Sequence, residues 1–265
     1  MKSLIYFLLL TIALTYFQGC GFISKKYTKS ETSEFSVNTE SKRKLKLENI
    51  NGNITVSRSS DSTSLKIKAY KEIKVKKKYL NTPFDEIIID VDSNSQDIII
   101  KTVISNKGSD GFFNIGRSQN VDYNIYVPEN LDIEIENVNG EIIAGEINND
   151  LSIENVNGNA EINNFQGKLN CEITNGSLSG EIDSTRGVNI NIINGSISLK
   201  LNNFLSANLN VQTVNGKITD EELTLKDVVR DKKHLRAKIG NADTDTEIKI
   251  ETINGKIKLF GNKEI

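Results

Sequence analysis

Apolar and polar residues alternate along most of this chain, and the alternation is locked to a recurring dipeptide. Asn-Gly stands at Asn51, Asn139, Asn157, Asn175, Asn194, Asn215 and Asn254. From Asn139 to Asn215 the spacings are 18, 18, 19 and 21 residues; the last is 39, close to two periods, and the first is 88, long enough for an insertion. Six residues before each Asn stand Leu45, Ile133, Leu151, Leu169, Val188, Leu209 and Ile248. Four before stand Leu47, Ile135, Ile153, Cys171, Ile190, Val211 and Ile250. The positions between and beside them are polar, from Lys46, Glu134 and Ser152 to Glu48, Glu136 and Glu154. Three residues after the Asn the chain is apolar again, as at Ile54, Ile142 and Leu178. Period-two alternation on both sides of a turn predicts a half-buried strand before it and another after it.

Asn and Gly tolerate positive φ, so the dipeptide permits a sharp reversal or a corner. A two-residue hairpin at each Asn-Gly would give an antiparallel meander. A corner would instead make each unit one coil of a β-solenoid. Equivalent positions are apolar in all seven units, as stacking along one core requires, which favours the solenoid. Second corners are expected near Asn148-Asn149, Asn163-Asn164 and Asn202-Asn203. Residues 57–130 alternate without the repeat, with turn signals at Asn81-Thr82-Pro83, Ser93-Asn94-Ser95 and Lys107-Gly108-Ser109. They predict an antiparallel meander capping the N-terminal end. Glu221 to Leu235 predicts a short helix or a looped-out coil.

The first twenty residues read as an address. Lys2 precedes an uncharged apolar run from Leu4 to Phe17, shorter than the about 20 residues of a membrane-spanning helix. The run ends in Phe17-Gln18-Gly19-Cys20, which resembles the lipobox of bacterial lipoproteins; Gly19 and Cys20 fit, whereas Phe17 and Gln18 depart from it. This predicts a signal peptide over 1–19, lipidation at Cys20 and a solvated tether over 20–43 that leads into a strand near Phe35. N-terminal strands and the meander then occupy 44–130, and the repeats occupy 131–265 with an insertion at about 220–238. Extracytoplasmic localisation follows, in the cell envelope on an outer membrane or cell surface.

Composition narrows the chemistry. The 265 residues include one His, two Cys and no Trp. A zinc cluster needs three or four His or Cys ligands, and a Ser-His-Asp or Cys-His enzyme would have to use His234. That residue lies in a charged loop, expected exposed and inert. Net charge is −2, with no whole-chain footprint for nucleic acid. No cofactor is implied.

Val121-Asp122-Tyr123-Asn124-Ile125-Tyr126-Val127-Pro128 leads into the repeated units. Together with Thr213-Val214-Asn215-Gly216-Lys217-Ile218 and Thr252-Ile253-Asn254-Gly255-Lys256-Ile257, it resembles the bacterial "putative adhesin" family of β-strand-repeat envelope proteins, lipoprotein type. Ile239-Gly240-Asn241-Ala242 resembles the Gly-rich step that precedes the final unit in that family. The resemblance spans residues 44–261. It implies a β-solenoid exposed on or near the cell surface and carries over no catalytic residue.

Four groups of residues are candidates for function. Stacked coils would align Glu136, Glu154 and Glu172 about 4.8 Å apart, with Glu134 beside the first. Such a strip could bind a cation or a basic ligand, or be a solvated strand face. Asn170, Asn189 and Asn210, with Asn191 and Gln212, would form an amide ladder. It could be purely structural or contact glycan, though it lacks an aromatic platform. Lys74, Lys76, Lys77 and Lys78 could touch anionic lipid headgroups near the anchor, or form a solvated edge strand. Cys171 fills a slot that is Leu, Ile or Val elsewhere and is expected to be buried and inert. The expected function is a non-enzymatic, lipid-anchored envelope protein that presents a repetitive surface for adhesion or interaction, toward an unknown envelope protein or polysaccharide. The alternatives are a polysaccharide-binding or polysaccharide-cleaving β-helix protein and a structural or regulatory envelope module. Acids that recur at one repeat position argue for architecture over a unique catalytic pair.

Overall fold

The computed structural model describes residues 26–77, 80, 87–104, 118–240 and 244–261. Among them there is no helix; the chain is all-β, a curled open sheet. Its strands are β1 (Lys26–Asn38), β2 (Lys44–Asn51), β3 (Ile54–Arg58), β4 (Ser64–Lys76), β5 (Ile87–Asp92), β6 (Asp97–Ile104), β7 (Ser118–Val127), β8 (Asp132–Asn139), β9 (Ile142–Gly145), β10 (Leu151–Asn157), β11 (Ala160–Asn175), β12 (Leu178–Asn194), β13 (Ile197–Leu201), β14 (Ala207–Asn215), β15 (Ile218–Glu221), β16 (Leu225–Arg230), β17 (His234–Ile239), β18 (Glu247–Asn254) and β19 (Ile257–Phe260).

Each Asn-Gly joins a strand on one face to a strand on another. Before the turn, β2, β8, β10, β11, β12, β18 and β14 pair in parallel with the turn asparagines aligned. After it, β3, β9, β11, β12, β13, β19 and β15 pair in parallel, and β7 joins this rank beside β3. β11 and β12 are long enough to serve both faces in turn. The hairpin reading of the dipeptide therefore fails: the two strands flanking each turn do not pair with each other. The apolar residues six and four positions before each Asn all point inward, none more than 3% exposed. Burying an aliphatic side chain of this size stabilises by roughly 1.5–3 kcal/mol. The identical slot in neighbouring units makes one continuous core.

Spatial order departs from chain order at both ends. β2 lies between β6 and β8, and β3 between β7 and β9. Likewise β18 lies between β12 and β14, and β19 between β13 and β15. The first and last repeat units are thus each inserted one place in from the end. The meander expected over 57–130 is only partly antiparallel, because β6 and β7 run parallel to β2 and β3 and extend the two ranks. True antiparallel caps are β5 on β6, β4 on β7 and β1 on β4.

Residues 26–38, within the expected tether, form a strand along their whole length; Phe35 and Val37 pack on the core while Glu34, Ser36 and Asn38 face out. The Glu221 to Leu235 stretch is no helix. It contributes the antiparallel hairpin β16–β17, which seals the open edge of β14 through Leu235, Ala237 and Ile239. Covering an edge in this way blocks sheet-to-sheet association.

The corner has a steric cause. Asn175 keeps an extended backbone, and Gly176 takes φ +157°. A Cβ on Gly176 would sit 2.0 Å from the carbonyl oxygen of Gly158 in the neighbouring unit. The units approach each other at the glycines closely enough to exclude any side chain. Two residues before the Asn, polar side chains in four units reach inward to serve these turn carbonyls, among them Asn155 Nδ2, which donates to Gly140 O at 3.0 Å, and Thr252 Oγ1, which donates to Gly195 O at 3.2 Å; Ile173 and Ile192 fill the same slot in two others. At the N-terminal end, buried Thr102 links Asn49 Oδ1 and the Tyr123 hydroxyl at 2.8 Å each. Burial pushes the Tyr123 hydroxyl up to about 12.

Candidate interaction surface

Three outward rows cross the face that precedes the corners. The first contains Lys46, Glu134, Ser152, Asn170, Asn189, Lys249 and Asn210 in spatial order. The second contains Glu48, Glu136, Glu154, Glu172, Asn191, Glu251 and Gln212 in the same order. The third stands one residue before each turn Asn: Ile50, Val138, Val156, Thr174, Ile193, Ile253 and Val214. Its aliphatic members are 38–60% exposed.

The register brings Glu136, Glu154 and Glu172 side by side, with Glu134 on the strand of Glu136. Lysines neutralise only one end of this strip. Lys46 Nζ lies 2.5 Å from Glu136, 3.0 Å from Glu134 and 3.4 Å from Glu48. Lys44 pairs with Glu134, and Lys101 lies 3.0 Å from Glu48. Hydrogen bonds from Lys44 hold the Glu134 carboxyl below the usual glutamate range, with Lys46 adding to the effect, and the carboxylates in turn raise the Lys46 ammonium. Among the described residues, Glu154 and Glu172 have no ion-pair partner. No three His, Cys, Asp or Glu side chains among the described residues converge to hold a metal ion.

The expected amide ladder is interrupted. Asn189 Nδ2 donates to Asn170 Oδ1 at 2.9 Å, but Lys249 separates Asn189 from Asn210. Glu251 likewise separates Asn191 from Gln212 and accepts from Gln212 Nε2 at 2.7 Å. The inserted last unit is the cause. A continuous ladder does exist, at the turn asparagines themselves. Beginning from Asn51, which accepts, each of Asn139, Asn157, Asn175, Asn194, Asn254 and Asn215 donates from Nδ2 to the Oδ1 of the one before it at 2.7–3.0 Å. Both rows have a signal in the sequence: the Asn recurs in every unit, and the position before it is Ile or Val in six of the seven.

A groove of about 480 Å³ runs between the second and third rows across five strands, from Glu48 to Ile193. Its floor includes Asn137 and Asn155. Cys171 lies beneath the same face, fully buried between Ile153 and Ile190, and burial pushes its thiol up to about 12. A thiol so disposed is a packing element, not a nucleophile. His234 is exposed, its Nδ1 3.0 Å from Asp231 Oδ2. Lys74 is exposed near Glu72 at the end of β4, and Lys77 is exposed just beyond it. The backbone of Lys76 pairs with β1. Lys78 and Cys20 lie outside the described residues, as do Asn81, Lys107 and Asn241.

The architecture has known counterparts. A "putative cell adhesion protein" from Clostridium sporogenes matches over 88% of this chain and 100% of its own, at 15% identity and a TM-score of 0.50. The chain shares that protein's fold. A "putative adhesin" from Bacteroides fragilis matches over 88% of this chain and 97% of its own, at 14% identity and a TM-score of 0.43. A "putative lipid binding protein" from Parabacteroides distasonis matches over 87% and 96%, at 13% and 0.30. No family model matches the sequence. No curated protein matches it either.

Proposed function

We propose that this chain is a non-enzymatic adhesion or interaction protein of the cell envelope, a β-solenoid that presents repeated rows of side chains outward. One observation carries the reading. The outward residues three and one before each turn Asn recur by unit, as acids or amides and as aliphatics broken only at Thr174, and align by register. Weak contacts repeated along a row suit a repetitive or extended partner through multivalency. A hydrolase or lyase needs instead a small set of unlike carboxylates in unlike surroundings. The likeness to the Clostridium sporogenes protein supports the fold on which this reading depends. The Phe17-Gln18-Gly19-Cys20 motif supports a lipid anchor at Cys20, with an outer-membrane or surface location.

The test is made on intact cells. Acyl-analogue labelling is expected on the natural chain and absent from Cys20→Ser, and external protease is expected to degrade the natural chain without lysis. Complete protection from protease removes direct adhesion. Release of unsaturated or reducing ends from envelope polysaccharide by the purified chain would replace the reading with an enzymatic one.

A further inference from the structure

We infer that the groove between the glutamate row and the aliphatic row binds an extended, basic, amphipathic polypeptide segment. The inference rests on the proposed role as an interaction protein and names the ligand class for this one face.

Two unlike rows flank the groove. On one side Glu154 and Glu172 are exposed and lack any ion-pair partner among the described residues, while their neighbours Glu48 and Glu136 are held by lysines. Like charges on directly adjacent strands repel. A cationic partner at the middle of the groove relieves that repulsion. On the other side Val138, Val156 and Ile193 remain 38–44% exposed. The row persists where the last unit is inserted, with Ile253 at 45%. An aliphatic row left open to water, broken only at Thr174, marks a contact surface.

An extended strand matches this pair of rows because its successive side chains point to opposite sides. Laid along the groove, alternate basic and aliphatic residues face the acids and the aliphatics respectively. Five strands at about 4.8 Å spacing span roughly 19 Å, the length of about six extended residues at 3.3 Å each. A bare divalent cation would use only the acidic row, and no three carboxylates converge on one point among the described residues. A glycan would leave the unpaired acids without a counter-charge.

The test titrates the full chain, held in zwitterionic nanodiscs, with the peptide Lys-Val-Lys-Val-Lys-Val. Empty discs serve as blanks, and peptides alternating Lys with Ser and Glu with Val serve as controls. The Lys-Val peptide is expected to bind at least ten-fold more tightly than either control, and more weakly as salt is raised. Glu154→Gln with Glu172→Gln should weaken it about ten-fold. Val156→Ser with Ile193→Ser should weaken it at least five-fold, and Glu181→Gln on the other face should leave it unchanged. Far-ultraviolet circular dichroism checks that each variant is folded; the serine pair keeps the test open should the glutamine pair misfold. Equal affinity for all three peptides, or undiminished binding by both folded double variants, overturns the inference. So does displacement of the peptide by sub-millimolar calcium, which would make the row a cation site. Because the titration needs no cells, its failure beside successful acyl labelling and protease cleavage on intact cells would remove the ligand class and leave the envelope role standing.

Discussion

At residue 176 even a methyl group is too large. The backbones of successive units meet at the turn glycines, and the Gly158 carbonyl occupies the place a Cβ on Gly176 would take, 2.0 Å away. Relief requires the two units to separate, which strains the parallel hydrogen bonds on either side, among them Gly158 N to Asn175 O at 2.9 Å. Gly176→Ala is therefore expected to lose about 3 kcal/mol or more of stability, measured by urea unfolding. Gly145→Ala is the comparison: no atom lies within 4 Å of its added Cβ, and a change within about 0.5 kcal/mol is expected. Equal effects at the two sites would refute the steric account. The need for Gly was legible in the sequence, but the reason was not. Read alone, Asn-Gly suggests a local conformational preference shared by both residues. In the fold Asn175 is extended and spends its side chain on the exposed ladder, and the demand on Gly176 comes from a backbone 18 residues away. Cys171 was legible for the opposite reason: its slot is defined by equivalents, and any small apolar group satisfies it.

Strands in this molecule are matched by their outward rows as well as by their core. Lys46 on β2 holds Glu134 and Glu136 on β8, and Lys44 holds Glu134 as well, so the pairing of these two strands has an electrostatic component. The folded state lowers the Glu134 carboxyl relative to its value in the unfolded chain. A group so shifted adds stability above its unfolded value, about 4.3, and loses that addition as pH falls through the lower folded value. Partly exposed pairs of this kind contribute about 1 kcal/mol. At pH 7 the natural chain is expected to exceed Glu134→Gln by about that amount in urea unfolding. The difference should shrink toward zero as the pH drops below the ordinary glutamate range. A gap that stays constant down to pH 3 would show that the substitution acts through packing. The acidic row itself could be read from the repeat, since Glu136, Glu154 and Glu172 are neighbours in both chain and space. The Asn189 and Asn210 pairing could not, because the strand that comes between them is 37 residues further on than Asn210, at Glu247.

The whole molecule closes by tucking its repeat termini inward. The 39-residue gap from Asn215 to Asn254 has the length of two units; Ile248 and Ile250 keep the repeat's alternation in it, whereas Glu221 to Leu235 predicts a short helix or a looped-out coil. The path of the last unit was not legible, because the pattern that fits β18 beside β12 would equally fit it beyond β14. The linker packs closely at that end: Leu205 is 6% exposed, and its carbonyl would meet a Cβ on Gly240 at 2.2 Å, so the entry to β14 is held against the end of β17. Non-local pairing of this kind forms late, after the loop-closure entropy has been met. It also makes the outermost unit depend on the last one. Without β18 and β19, β14 keeps only β17 as a partner and β15 keeps none. A chain ending at Gly240 is thus expected to lose two units for the removal of one. Hydrogen exchange should find amides over 207–239 unprotected in that truncated chain, while amides over 132–175 keep the protection they have in the full chain. If residues 207–215 stayed protected, β14 would have moved in to pair with β12, and the inserted position of the last unit would be one of two accessible packings instead of a requirement of the fold.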